Sequence, residues 1–204
     1  MSSPIAVHAD IEQAVARLRD GGVVAFPTDT LYALGADATN AEAVGRVFDI
    51  KGREAGKPLP LFVAGAEIAA GVAVMTPLAR RLAERFWPGA LTLVVQKLPS
   101  FESEALVGGE TVALRVPNSD VALEILRGLG RPVTATSANL SGGADPADAS
   151  TVRAQIGERL DLIVDGGACD VGVSSTIVDC TGEAPLILRA GAISEAEIAA
   201  ALSA

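Results

Sequence analysis

The segment Lys51-Gly-Arg-Glu-Ala-Gly-Lys57 puts three cations into seven residues of a chain whose net charge is −9. Its two glycines give the backbone freedom to curl, and Pro58 follows at once. Such a segment suits a polyanion, because Lys and Arg together supply point charges and forked donors. It also fits a solvated helix end, where its cations would face the negative pole of the dipole. Other polar runs follow apolar stretches. Phe26 leads into Pro27-Thr28-Asp29-Thr30-Leu31-Tyr32, and Leu114 into Arg115. The Val133 stretch leads into Thr136-Ser137-Ala138-Asn139-Leu140-Ser141-Gly142, Val173 into Ser174-Ser175-Thr176, and Leu188 into Arg189. Open α/β sheets bind ligands at the carboxyl ends of strands. Converged, these runs would offer hydroxyls, an amide and fixed cations, a set suited to phosphates and a carboxylate. Any one of them alone is an ordinary loop satisfying its own backbone. Their joint occurrence carries the argument.

Rare residues exclude other chemistries. The one histidine is His8, and the two cysteines are Cys169 and Cys180. A Ser-His-Asp or Cys-His mechanism would have to use His8, which reads as an exposed residue ahead of the first helix. A zinc site would need His8, two distant cysteines and carboxylates, so no metal ligands are assigned. Two cysteines make no disulfide framework and point to a reduced, cytoplasmic protein. No run of 18 uncharged apolar residues suggests a membrane helix, and no basic-then-apolar leader opens the sequence. An acidic chain with pI near 4.6 lacks the cation surplus for broad nucleic-acid binding.

The pattern of elements is α/β. Asp10 reads as the cap of a helix carrying Ile11, Val15 and Leu18. Residues 23–26 read as a buried strand ended by Pro27. Asn40 caps a helix carrying Val44, Val47 and Phe48, which runs into the basic segment. Thr76-Pro77 opens a helix with Leu78, Leu82 and Phe86 on its apolar face, and Trp87-Pro88-Gly89 breaks it. A helix is expected over 121–129. Strands are expected over 60–64, 91–95, 112–116, 133–136, 162–164, 176–178 and 186–188. Ser194-Glu-Ala-Glu197 is a capping box for a last helix. Some strands are too close in sequence for helical crossovers, so the sheet should be mixed. Residues 141–149, rich in Gly, Ala and Asp, read as a mobile loop. One domain spans 1–204.

The stretches GGVVAFPTDTLYALGADA, KGREAGKPL, WPGALTLVV, VALRVPN, TSANLSGG, SSTIVD and LRAGAI stand in this order. Together they resemble YrdC-like threonylcarbamoyl-AMP synthases, from about Ile11 to Ile193. The resemblance implies a twisted mixed β-sheet flanked by helices around a concave cleft, in the short, single-domain form. It also implies L-threonylcarbamoyladenylate synthesis from L-threonine, bicarbonate and ATP, with pyrophosphate released. The product would pass to proteins that modify adenosine 37 of tRNA; direct tRNA binding would be weak. By resemblance, Thr30, Arg115, Ala135 and Ser175 contact L-threonine, with Arg115 on its carboxylate. Arg53, Lys57, Thr111, Ser137, Asn139 and Arg189 contact the nucleotide, and Lys51, Arg53 and Lys57 form the catalytic basic group. Three positions depart from the common pattern: Ala33 replaces a glycine, Phe62 a histidine of longer members, and Asp145 a serine of some.

On this reading the anion held by the basic segment is the ATP polyphosphate. A carbamate formed on threonine's amine attacks the α-phosphorus, and positioning with charge neutralisation supplies most of the catalysis. Mg2+ rides on the ATP phosphates rather than in a protein cage. Two alternatives belong to other classes: an RNA-binding module of this shape without synthase activity, and another carbamoyl-handling enzyme. The acidic charge and scarce aromatics weigh against the first. The absence of accessory domains and zinc-finger cysteines weighs against the second.

Overall fold

The computed structural model describes residues 4–52, 56–170 and 172–203. Helix α1 (Pro4–Arg19) starts before Asp10, which therefore lies inside the helix rather than at its cap. Ile11, Val15 and Leu18 are buried, as their spacing predicts. His8 is exposed, but within α1, with its ring nitrogens 3.9 Å from Glu12 and 3.6 Å from Glu124.

Strands β1 (Val24–Phe26) and β2 (Ala33–Gly35) follow, then helix α2 (Ala41–Lys51), β3 (Leu61–Phe62), the short α3 (Ala66–Ala70) and α4 (Pro77–Phe86). The middle of the chain forms β4 (Leu91–Gln96), β5 (Thr111–Arg115), α5 (Asp120–Leu129), β6 (Val133–Thr134) and β7 (Thr136–Ser137). It closes with α6 (Ala149–Ile156), β8 (Leu162–Ile163), β9 (Thr176–Asp179), β10 (Leu186–Arg189) and α7 (Glu195–Ser203). Asn40 caps α2 through the Ala43 amide, Thr76 caps α4 through the Ala79 amide, and Ser194 and Glu197 form the expected box.

The α/β class holds, but the strands divide between two mixed sheets. One has the order β7-β2-β1-β8, the other β10-β9-β4-β5-β3-β6. The strand expected over 133–136 is where they meet. It breaks at Ala135, so that β6 pairs with β3 in the larger sheet and β7 with β2 in the smaller. The Ala135 amide, freed from both ladders, donates to the Pro60 carbonyl at 2.7 Å. A uniform run of small residues gives no sign of this switch.

Strands β4 and β5 show what the larger sheet does. They pair antiparallel with Leu93 opposite Leu114 and Val95 opposite Val112. Leu91, Leu93, Val95, Val112 and Leu114 are fully or almost fully buried in the main core. Side chains alternate across a strand, so Thr92, Val94, Thr111, Ala113 and Arg115 face the other way, into a cleft. Apolar burial of about 1.5–3 kcal/mol per large side chain fixes this register, and the register presents a row of small residues ending in one arginine.

The segment 141–149 is tied down along its length. Asn139 Nδ2 donates to the Gly143 and Ala144 carbonyls, and the Tyr32 and Cys169 amides donate to Pro146 and Ala147. Asp148 then caps α6, whose Val152 and Ile156 are buried. That cap-plus-apolar pattern was present in the sequence.

Thr76→Ala should lower stability by about 1 kcal/mol, the usual cost of losing a helix cap. Chemical denaturation with an unchanged m-value checks it.

Candidate functional site

Both sheets contribute to one cleft of about 870 Å³. Thr30, Lys51, Lys57, Thr111, Arg115, Ala135, Ser137, Asn139, Ser175 and Arg189 all line it. Residues scattered over more than 150 positions of sequence therefore converge, as a common ligand requires. Arg53 lies outside the described residues.

Arg115 is buried at the end of β5. Its Nε donates to the Gly89 carbonyl at 2.8 Å, one terminal nitrogen to Thr30 Oγ1 at 2.8 Å, and the other to Asp29 Oδ1 at 2.6 Å. The same Asp29 oxygen accepts the Asn118 amide at 3.1 Å. The guanidinium carbon lies 5.6 Å from the Phe62 ring centroid, a cation–π contact. Burial pushes the Arg115 pKa down, Asp29 holds it up, and the charge of Arg189 pushes it down again. The arginine is thus oriented on three sides, with donors still to give. Gly89 permits the turn that supplies the carbonyl: a Cβ there would stand 2.5 Å from the Phe86 oxygen.

Arg189 sits at the exposed rim. Its Nε and a terminal nitrogen donate to the Ser175 carbonyl at 3.1 and 2.7 Å. Burial lowers its pKa. Both guanidinium groups line the cleft and make this end of it positive.

Helix α2 ends at Lys51, and Gly52 takes the left-handed conformation there (φ 55°). Lys51 is buried, and its ammonium turns into the Ser-Ala-Asn loop. Nζ lies 2.7 Å from the Ser137 carbonyl, 2.9 Å from Asn139 Oδ1 and 3.1 Å from the Asn139 carbonyl. Ser137 Oγ donates to Asn139 Oδ1 at 2.7 Å. The first cation of the basic segment therefore holds the loop that carries Ser137 and Asn139, while Lys57 is exposed along the same wall.

Three lining or supporting residues escaped sequence reasoning. Asp29 anchors Arg115 from 86 positions away, Thr92 bonds Ser175 from 83, and Tyr32 reaches the Gly167 carbonyl at 2.7 Å. Asp29 and Tyr32 stood in a polar run already marked, yet their partners are set only by the fold. Thr92 was hidden inside an apolar strand, where a lone hydroxyl between leucines was the available signal.

Among the described residues no group of three or more His, Cys, Asp or Glu side chains could hold a metal ion. No helix among them is long and apolar enough to cross a membrane.

A buried arginine, a row of small and hydroxylic residues and a lysine-pinned loop thus line one cleft of an α/β fold. The Sua5/YciO/YrdC family model, described as telomere recombination, matches residues 16–191. The chain belongs to this family. It is 42% identical over 194 residues to a threonylcarbamoyl-AMP synthase of Bacillus subtilis, covering 94% of this chain and 56% of that protein. It is 38% identical to one from Thiobacillus denitrificans, covering 86% of this chain and 92% of the relative. The crystal structure of P. abyssi Sua5 complexed with L-threonine superposes with a TM-score of 0.90 at 40% identity, covering 94% and 57% of the two chains. The chain thus spans little more than half the length of the Bacillus and Pyrococcus relatives.

Lys51→Met removes the donor from the Ser137 and Asn139 carbonyls and leaves buried acceptors without it. It should cost at least about 2 kcal/mol of stability, since each stranded buried polar group costs about 1–3 kcal/mol. Thermal or denaturant unfolding checks this; a stability equal to wild type would remove Lys51 from its place beneath the loop.

Proposed function

We propose that this chain is an L-threonylcarbamoyladenylate synthase, acting in the cytoplasm on L-threonine, bicarbonate and ATP. The observation that carries the reading is the convergence on one cleft of the buried Arg115 and the Lys51-held Ser137–Asn139 loop. The relatives bearing the synthase name and the threonine complex of P. abyssi Sua5 support it.

In this reading threonine's carboxylate sits against Arg115, whose planar fork matches it, with Thr30, Ala135 and Ser175 around it. The nucleotide lies against Thr111, Ser137, Asn139 and Arg189, with its phosphates towards Lys57 and Arg53. Mg2+ enters as part of the MgATP substrate. Threonine's amine takes up the carbon of bicarbonate, losing water, to give a carbamate. A carbamate oxygen then bonds to the α-phosphorus as the bond to the bridging oxygen breaks, and pyrophosphate leaves. The chain supplies no covalent nucleophile in this scheme. Its part is to hold both substrates in line and to meet developing negative charge with fixed cations. The product, a mixed anhydride, passes to the proteins that transfer the threonylcarbamoyl group to tRNA.

Incubation with MgATP, bicarbonate and L-threonine should yield pyrophosphate and the adenylate, detectable by mass spectrometry. Omitting either L-threonine or bicarbonate should abolish both products. Equal pyrophosphate release without threonine would overturn the assignment.

A further inference from the structure

Six threonines are buried among the described residues. Five of their hydroxyls bond within the protein. Thr28 Oγ1 donates to the Leu31 carbonyl at 2.7 Å, Thr30 Oγ1 accepts from Arg115, and Thr92 Oγ1 lies 2.8 Å from Ser175 Oγ. Thr176 Oγ1 donates to the Ile193 carbonyl at 2.6 Å. Thr134 Oγ1 donates to the Leu34 carbonyl at 3.1 Å and accepts the Ala36 amide at 3.0 Å. Thr136, two residues further on and only 8% exposed, has no hydroxyl bond among the described residues. Packing alone does not explain it: valine suits a strand as well and brings no hydroxyl to satisfy.

The Thr136 oxygen opens into the cleft. Among the described residues every side-chain nitrogen or oxygen shut off from solvent has a partner, so this one is not shut off. Thr136 lines the cleft between Ala135 and Ser137, which line it too. Strand β7 is the edge of the smaller sheet, turned towards the larger one by the break at Ala135. The Lys51 ammonium lies 2.7 Å from the Ser137 carbonyl, one residue away. A nearly buried, uncommitted hydroxyl therefore stands close to a fixed cation. That setting suits donation to an anionic oxygen, the stronger kind of hydrogen bond.

In the proposed reaction Ala135 faces the amino acid and Ser137 the nucleotide. The residue between them stands where the new carbamate is brought to the α-phosphorus. We propose that Thr136 is a catalytic residue whose hydroxyl donates to one oxygen of the carboxyl group that bicarbonate contributes, first as bicarbonate and then as the carbamate of threonine. The Thr136 proton stays on its oxygen throughout. The nitrogen–carbon bond forms as water leaves. Holding one carbamate oxygen aims the other at the α-phosphorus, to which it bonds as pyrophosphate departs.

The inference rests on the proposed synthase reading. Its test compares wild type, Thr136→Val and Thr136→Ser. Adenylate formation is followed with bicarbonate varied at saturating L-threonine and MgATP. L-threonine and MgATP are also titrated singly by calorimetry without bicarbonate, and melting temperatures are recorded. Thr136→Val should lower kcat/KM for bicarbonate about ten- to a hundredfold, the loss of one hydrogen bond to a charged oxygen. Affinities for threonine alone and MgATP alone should stay at wild-type values. The melting temperature should not fall, because no internal bond is lost. Thr136→Ser should restore the efficiency with bicarbonate. A wild-type kcat/KM for bicarbonate in Thr136→Val overturns the role. So does weaker binding of threonine or MgATP alone, which moves the hydroxyl onto that ligand. A lower melting temperature that Thr136→Ser repairs also overturns it, by giving the hydroxyl a structural task. Wild type that forms no adenylate instead overturns the synthase reading beneath it, so the two failures are distinguishable.

Discussion

The ion pair between Arg115 and Asp29 is the constraint on which the cleft depends. A charge taken out of water costs several kcal/mol unless it is paired and hydrogen-bonded. Arg115 meets that demand with a carboxylate, a hydroxyl and a carbonyl drawn from two separate loops. Asp29 in turn takes the Asn118 amide just before α5. The pair therefore stitches the loop after β1, the turn before β4 and the entry to α5 around one guanidinium. Losing either partner would leave the other buried and unmatched. The chain thus keeps a fixed cation in a cleft that water alone would not hold in place.

Around this pair the larger sheet works as a two-sided plate. Large residues on one face of β4 and β5 fill the core, and small ones on the other leave room for a ligand. The break at Ala135 brings the smaller sheet's edge and the Ser137–Gly142 loop over the same face. Lys51, at the end of α2, then fixes that loop by its carbonyls. Each element supplies a wall because its own packing requires its position. A ligand meets a surface already organised, which is what reactions driven by positioning require.

Much of this was legible beforehand. Caps at Asn40, Thr76 and Ser194 and the apolar spacing of α1, α4 and α5 follow local rules that the fold obeys. So do the strands expected over 112–116 and 176–178. The ordered motifs placed ten of the eleven expected site residues in one cleft; Arg53 lies outside the described residues. What was not legible depends on tertiary pairing. Strand β2, just after the polar run that ends at Tyr32, was not expected, because its three residues Ala33, Leu34 and Gly35 gain strand character only beside β1. Lys51 reads as one of three phosphate-seeking cations; that its ammonium also donates to the loop's carbonyls follows from its depth at the end of α2 and was not legible. Asp29 reads as a turn residue until Arg115 arrives beside it. Phe62, a departure from the family pattern, gains meaning as the ring under that guanidinium.

We propose that the Arg115 guanidinium, fixed from behind by Asp29, is the carboxylate receptor of the cleft. Calorimetric titration of L-threonine into Arg115→Lys tests it most directly, since lysine keeps the charge and loses the planar fork. The account predicts threonine binding weaker by about 1.5–3 kcal/mol, the range for a hydrogen bond to a charged group, with MgATP binding near wild type. Threonine affinity equal to wild type would contradict it.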